Sequence, residues 1–186
     1  MKHLLCLILP AFAASIFFIL GATGCGVTPG MGPTFQIQLA IYTPLCIDVL
    51  DASTANGAEV QVYPCGPGKR SQEWQLVSVG SSGYNIVNVN SQLCMSVVNN
   101  PDTAPGQHVD QETCTASGGA ANQLWKMVKA PGSEAGYQFI SAASGECLDL
   151  PYGATASVFQ LQQYTCTPDD PAQGWTVASV APGNIP

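Results

Sequence analysis

Charge is scarce in this chain. Only 9% of its 186 residues are Asp, Glu, Lys or Arg, and just five are basic. So few Lys and Arg argue against a nucleic-acid partner, because phosphates reward clustered cations. Histidine is nearly absent too, with only His3 and His108, and no C-x-x-C occurs. That argues against zinc, whose sites draw on closely spaced Cys and His. No G-x-S-x-G occurs, so a Ser-His-Asp triad would rest on His108 alone. No metal or cofactor is expected. What is plentiful is apolar and turn-forming. Hydrophobic residues make up 46%, with 19 Gly and 14 Pro. Gly and Pro punctuate a chain and damage helix interiors, which favours a turn-rich β domain over a helical bundle. The length suits one domain, or one with a small appendage.

The N-terminal stretch stands apart from any fold. After Lys2 and His3, the seventeen residues Leu4 to Leu20 carry no charge. A basic start, an apolar run and the small residues Gly21, Ala22, Thr23 and Gly24 predict an export signal over residues 1–24. A membrane anchor is the alternative, since the run approaches spanning length. Without residues 1–24 the chain has 4 basic and 12 acidic side chains, a net of −8.

The eight cysteines are Cys6, Cys25, Cys46, Cys65, Cys94, Cys114, Cys147 and Cys166. Cys6 lies within the export segment. The last six form pairs separated by 19, 20 and 19 positions. In an exported protein such pairs read as disulfides. Each closes a loop of about 20 residues and adds ~3 kcal/mol by constraining the unfolded chain. Cys25 is left over. Ala22-Thr23-Gly24-Cys25 resembles a bacterial lipobox, though Leu is usual where Ala22 stands. The resemblance implies a lipidated Cys25, anchored to the cell surface, with residues 25–33 as a flexible tether. A free thiol or an earlier cut stays open.

The rest of the chain is repetitive. Trp74, Trp125 and Trp175 stand 51 and 50 positions apart, each preceded two residues earlier by Gln: Gln72, Gln123 and Gln173. Upstream lie CIDV from Cys46, CMSV from Cys94 and CLDL from Cys147. Alternating stretches precede these (FQIQLAIY, YNIVNVN, YQFISAA), and others lead to each second cysteine (VQVYPC, HVDQETC, FQLQQYTC). The strands after the tryptophans are WQLVSV, WKMVKA and WTVASV. Period-two alternation and turn signals such as Asn56-Gly57 predict four short strands per repeat. The repeats run over about 34–80, 83–130 and 136–180, leaving 181–186 as a tail. Twelve strands in three copies predict a closed all-β barrel with three-fold pseudosymmetry. A three-bladed propeller is the geometric alternative, although propellers typically have at least four blades.

The triplicated Gln-x-Trp, the Cys-x-Asp-aliphatic element and the three cysteine pairs resemble the ricin B-type β-trefoil lectins. That family also supplies carbohydrate-binding modules appended to glycosidases. The resemblance covers residues 34–180. It implies a β-trefoil, and in each repeat a sugar site built from four positions. These are an Asp after the first cysteine, an aromatic two residues before the second, a Gln two residues before that aromatic, and an Asn directly before Gln-x-Trp. A carboxylate suits hydroxyls through charge-assisted hydrogen bonds, and an aromatic face suits the C–H side of a pyranose.

Carried over, the first repeat supplies Asp48, Gln61 and Tyr63, with Ser71 at the Asn position. The third supplies Asp149, Gln162 and Tyr164, with Ala172 at the Asn position. Both Asp-to-Tyr spacings are fifteen. In the middle repeat Ser96 and Glu112 replace Asp and aromatic, Asn122 is kept, and no working site is expected. Ser71 ranks the first site above the third. Gln72, Gln123 and Gln173 recur even where the sugar groups are missing, so they are expected to tie down backbone beside the core tryptophans.

Turn capping by the Asp and packing by the Tyr are the plainer readings of any one copy. The paired loss of both in the middle repeat favours a shared function. Catalysis is not expected. Glycoside hydrolysis needs two facing carboxyl groups, whereas Asp48 and Asp149 belong to different lobes. Asp51, Asp169 and Asp170 lie in loops, and His108 opens a strand as a surface or packing residue. The expectation is a non-catalytic exported lectin for galactose- or xylan-like sugars. The rivals are a trefoil scaffold that no longer binds sugar and a subunit of a separate glycosidase.

Overall fold

The computed structural model describes residues 32–40, 45–98, 103–115, 120–131, 136–153 and 158–180. The export segment, Cys25, most of the tether and the tail 181–186 lie outside the described residues.

The first repeat contains β1 (Phe35–Leu39), β2 (Leu45–Val49), β3 (Ala58–Pro64) and β4 (Trp74–Ser78). The second contains β5 (Tyr84–Asn88), β6 (Cys94–Val97), β7 (Val109–Glu112) and β8 (Trp125–Lys129). The third contains β9 (Tyr137–Ser141), β10 (Cys147–Asp149), β11 (Phe159–Gln160), β12 (Gln162–Tyr164) and β13 (Trp175–Ser179). Twelve strands were expected, and thirteen segments form. The difference is a break at Leu161, whose amide turns to the Val60 carbonyl at 2.8 Å while its side chain stays fully buried. The strands are also shorter than the alternating runs. In YNIVNVN the strand stops at Asn88, because the Asn88 side chain accepts from the amides of Asn90 and Ser91 and closes a turn.

Six strands close a ring. Long antiparallel pairs join β1 to β13, β4 to β5 and β8 to β9. Short contacts complete the circuit: Phe35 opposite Trp74, Tyr84 opposite Trp125 and Tyr137 opposite Trp175. The same register appears three times, which is the pseudosymmetry in its barest form. No free edge is left in the ring, so the edge pairing that threatens open sheets is removed. The remaining strands form hairpins, β2 with β3, β6 with β7 and β10 with β12. These join one another through β3–β7, β3–β11 and a bridge between His108 and Gln162. The result is a β-trefoil, a barrel capped by a triangle of hairpins, and not a propeller.

The core is layered by the repeat. Trp74, Trp125 and Trp175 are fully buried, as are Ile37, Ile86 and Phe139 two residues into each first strand. Each indole N–H donates to a carbonyl on its own repeat's second strand: Ile47 at 3.0 Å, Met95 at 3.1 Å and Leu148 at 3.1 Å. A tryptophan fits here because its one polar group finds a partner. Val60, Val109 and Leu161 fill the centre of the cap. Each repeat carries one disulfide: Cys46–Cys65, Cys94–Cys114 and Cys147–Cys166, each with Cα atoms 5.0 Å apart.

Candidate functional site

Strand register assembles the first site. Asp48 on β2 lies directly opposite Gln61 on β3, and Tyr63 follows two residues later on the same face. Asp48, Gln61, Tyr63 and Ser71 together line a cleft of about 590 Å³. Its rim is completed by Asp51, Lys69, Arg70 and, from the third repeat, Val158. Tyr63 is 38% exposed, as a stacking platform must be. The Lys69 ammonium lies 4.8 Å from the centre of its ring.

Asp48 is only 6% exposed. Its Oδ2 accepts from the Gln72 side-chain amide at 2.8 Å, while its Oδ1 is buried without a partner. That oxygen keeps its acceptor capacity but has almost no accessible surface in this conformation. The expectation for Gln72 is therefore sharpened. It does tie down backbone, accepting from the Gly66 amide at 2.9 Å and donating to the Pro64 carbonyl at 3.1 Å. It also aims the site's carboxylate. Sequence reasoning missed this because the backbone role alone explains Gln recurring in every repeat.

The third repeat reproduces the pattern with a difference. Asp149 on β10 lies opposite Gln162 on β12, with Tyr164 49% exposed. Here Gln162 donates to Asp149 Oδ1 at 2.7 Å, and Gln173 donates to Oδ2 at 3.2 Å. Both carboxylate oxygens already hold a donor. Gln61 makes no such bond to Asp48, so the two matched Gln positions behave differently. Burial pushes the Asp149 carboxyl above the usual Asp range. The Gln162 and Gln173 hydrogen bonds pull the other way, and Asp170 adds an upward push. Ala172 is buried and brings no polar side-chain group, as its sequence position implied. Tyr152, in the turn after β10, is 95% exposed. Asp51, at the same place in the first repeat, lines the first cleft.

The middle repeat departs as expected at Ser96, whose Oγ accepts from Asn122 at 2.8 Å. Asn122 also donates to the Val97 carbonyl at 2.9 Å, so its NH2 group is engaged within the protein while its Oδ1 is buried without a partner. Glu112, at the aromatic position, accepts from the Asn56 side chain of the first repeat. A carboxylate does occur in this lobe, on the opposite strand. Asp110 faces Ser96 across the β6–β7 pair, where the other repeats carry Gln61 and Gln162. Counting two residues back from Glu112 would have found it. Asp110 accepts from Gln160 at 2.8 Å, and burial raises its carboxyl despite that bond. It shares a cleft of about 490 Å³ with Glu59, His108 and Gln160. His108 is an exposed residue hydrogen-bonded to Gln160. Among the described residues, no group of three or more His, Cys, Asp or Glu is placed to hold a metal ion.

The sequence profile of the ricin-type β-trefoil lectin domain matches residues 33–175. The chain belongs to this family. Among solved structures, a designed three-fold symmetric protein, ThreeFoil, is 26% identical with a TM-score of 0.71, covering 79% of this chain and 99% of its own. An exo-β-1,3-galactanase from Clostridium thermocellum is 27% identical with a TM-score of 0.70 over 80% of this lectin-family chain. Only 30% of that enzyme's length is covered. A Macrolepiota procera ricin B-like lectin, solved with lactose, shares the fold at 17% identity and a TM-score of 0.64, covering 79% of this chain and 95% of its own. A comparison with curated proteins finds no match. Family membership and these lectin neighbours support carbohydrate binding in general. Ricin B-type domains are generally non-catalytic, although some neighbours are enzymes or toxins.

Proposed function

We propose that this protein is an exported, non-catalytic lectin that holds galactose- or xylan-like sugars at its first and third repeats. One observation carries the reading most directly. Asp48 lines a cleft that also presents Tyr63, and its Oδ1, covered in this conformation, has no donor within the protein. A small turn of the Asp48 side chain uncovers that oxygen to a sugar hydroxyl, and the tyrosine supplies the flat surface for the ring. The third site offers Asp149, Gln162 and Tyr164 in the same arrangement, with less free acceptor capacity. The galactanase and the lactose-bound lectin among its neighbours fit a galactoside.

Export and surface anchoring belong to the same proposal. Residues 1–24 act as the signal, Cys25 carries lipid and residues 25–33 form the tether. Intact mass of the mature protein distinguishes lipid from a free thiol or a different cut. Two weak sites on one rigid body would act together on a polymer or a glycan-coated surface.

A glycan array with wild type, Asp48→Ala and Asp149→Ala tests the reading. Wild type should bind at millimolar ligand, and Asp48→Ala should lose most of that binding. No binding by wild type would favour a scaffold that has lost sugar recognition. Binding that survives both substitutions would place the sites elsewhere.

A further inference from the structure

The two matched sites differ in the charge of their rims. After the second cysteine, the first repeat reads Gly66-Pro67-Gly68-Lys69-Arg70-Ser71, and the third reads Thr167-Pro168-Asp169-Asp170-Pro171-Ala172. Lys69 therefore stands where Asp170 does, and Asp169 replaces Gly68. Both cations line the first cleft. They are two of only four basic side chains beyond residue 24, in a stretch that carries twelve acids.

The placement of Lys69 is specific. A Cβ on Gly66 would lie 2.7 Å from Lys69 Cε, so the missing side chain there lets the lysine fold back across the loop. Its ammonium then rests over the Tyr63 ring. A neutral sugar stacking at that ring offers the ammonium only neutral hydroxyl acceptors, whereas a carboxylate offers the stronger charge-assisted bond. Arg70 lies beside it, and its guanidinium reaches the Val89 carbonyl at 3.1 Å with further donors in hand. Asp48 and Asp51 line the same cleft and balance this pair overall, so its pull on an anion is local, at the Tyr63 ring where Lys69 sits. At the third site, Asp170 pushes Asp149 in the direction expected of a negative rim.

We propose that the first repeat selects a saccharide bearing a carboxylate, of the uronic-acid kind, while the third repeat accepts only neutral sugar. This rests on the lectin reading above and narrows it. The Asp48 carboxylate, once turned toward the cleft, would take a ring hydroxyl, Tyr63 the ring face, and Lys69 with Arg70 the acid group.

Matched ligand pairs test it: galactose against galacturonic acid, and xylobiose against xylobiose bearing a glucuronic acid branch. Affinities come from calorimetry, and ring signals of Tyr63 and Tyr164 locate each ligand by NMR. At ~0.01 M salt the acidic member of the recognised pair should bind about five-fold tighter, a single charge pair's worth in water, and lose that advantage at ~1 M. It should perturb Tyr63 and leave Tyr164 unmoved. K69Q alone should reduce the preference, and K69Q/R70Q should erase it. Both residues are exposed, so the fold should be unaffected, checked by circular dichroism. Equal affinity within a pair, or a preference that survives K69Q/R70Q, overturns the inference and leaves the lectin reading standing. Failure of all four ligands to bind overturns both.

Discussion

Replacing Gln72 by Leu removes three hydrogen bonds at once. Gly66 loses its acceptor, Pro64 loses its donor, and Asp48 loses its one side-chain partner. Gln123→Leu is the internal control. Its side chain accepts from the Thr115 amide at 3.0 Å and hydroxyl at 3.2 Å and donates to the Thr113 carbonyl at 2.9 Å; the exposed hydroxyl can turn to water, and no carboxylate is in reach because Ser96 stands at the Asp position. Each backbone group left unpaired costs about 1 kcal/mol at such partly buried positions, and a bond to an ionised group adds about 2 kcal/mol. Gln123→Leu should therefore cost about 2 kcal/mol and Gln72→Leu about 4 kcal/mol. Three disulfides, each worth ~3 kcal/mol, should keep both variants folded enough to measure. The assay is guanidinium unfolding at neutral pH with disulfides intact, followed by tryptophan fluorescence. A double-mutant cycle isolates the decisive bond. In an Asp48→Ala background, Gln72→Leu should cost only the ~2 kcal/mol of its backbone partners, a coupling of about 2 kcal/mol. Equal losses for the two Gln variants, or zero coupling, would refute the idea that Gln72 holds the carboxylate.

Three further outcomes are expected. Folded Asp149 titrates above the ordinary Asp value of 3.8, so between those two values the folded state keeps a proton that the unfolded state has released. Stability should fall as pH rises through that window, while sugar binding at the third site rises; in binding and unfolding titrations, Asp149→Asn should remove the binding trend and weaken the stability trend to the share left by Asp110, whose carboxyl is also raised. Val158 holds a β-branched side chain at φ 76 on the rim of the first cleft, so Val158→Asn should stabilise by about 1 kcal/mol in denaturant unfolding. Gly83 has φ 121, and a Cβ there would sit 2.5 Å from the Trp125 carbonyl oxygen. Gly83→Ala should cost about 2–4 kcal/mol and lower Tm by about 10 °C in a thermal melt.

The trefoil was legible because its information is periodic and local. The tryptophans and cysteines recur at spacings that hold whatever the chain's path, and each disulfide joins cysteines within one repeat. Alternation located the strands, although not their ends. Asn88 ends β5 with its own side chain, and Leu161 breaks the third repeat's strand by turning its amide to Val60.

Asp48, Asp149, Tyr63 and Tyr164 were named through the family resemblance, and strand register brings each pair to one face. What distinguishes the two sites was not legible, because it lies in contacts between segments and in single atoms. Asp149 holds a donor on each oxygen and Asp48 on only one because Gln162 donates to its Asp while Gln61, at the equivalent position, does not. Asp110 takes its place through cross-strand register with Ser96. Lys69 reaches Tyr63 across the space that Gly66 leaves open. The sequence by itself determined three lobes around three tryptophans, since hydrophobic periodicity and loop closure act along the chain. Only the tertiary structure decided what each lobe can hold, since hydrogen bonds and charge act across space.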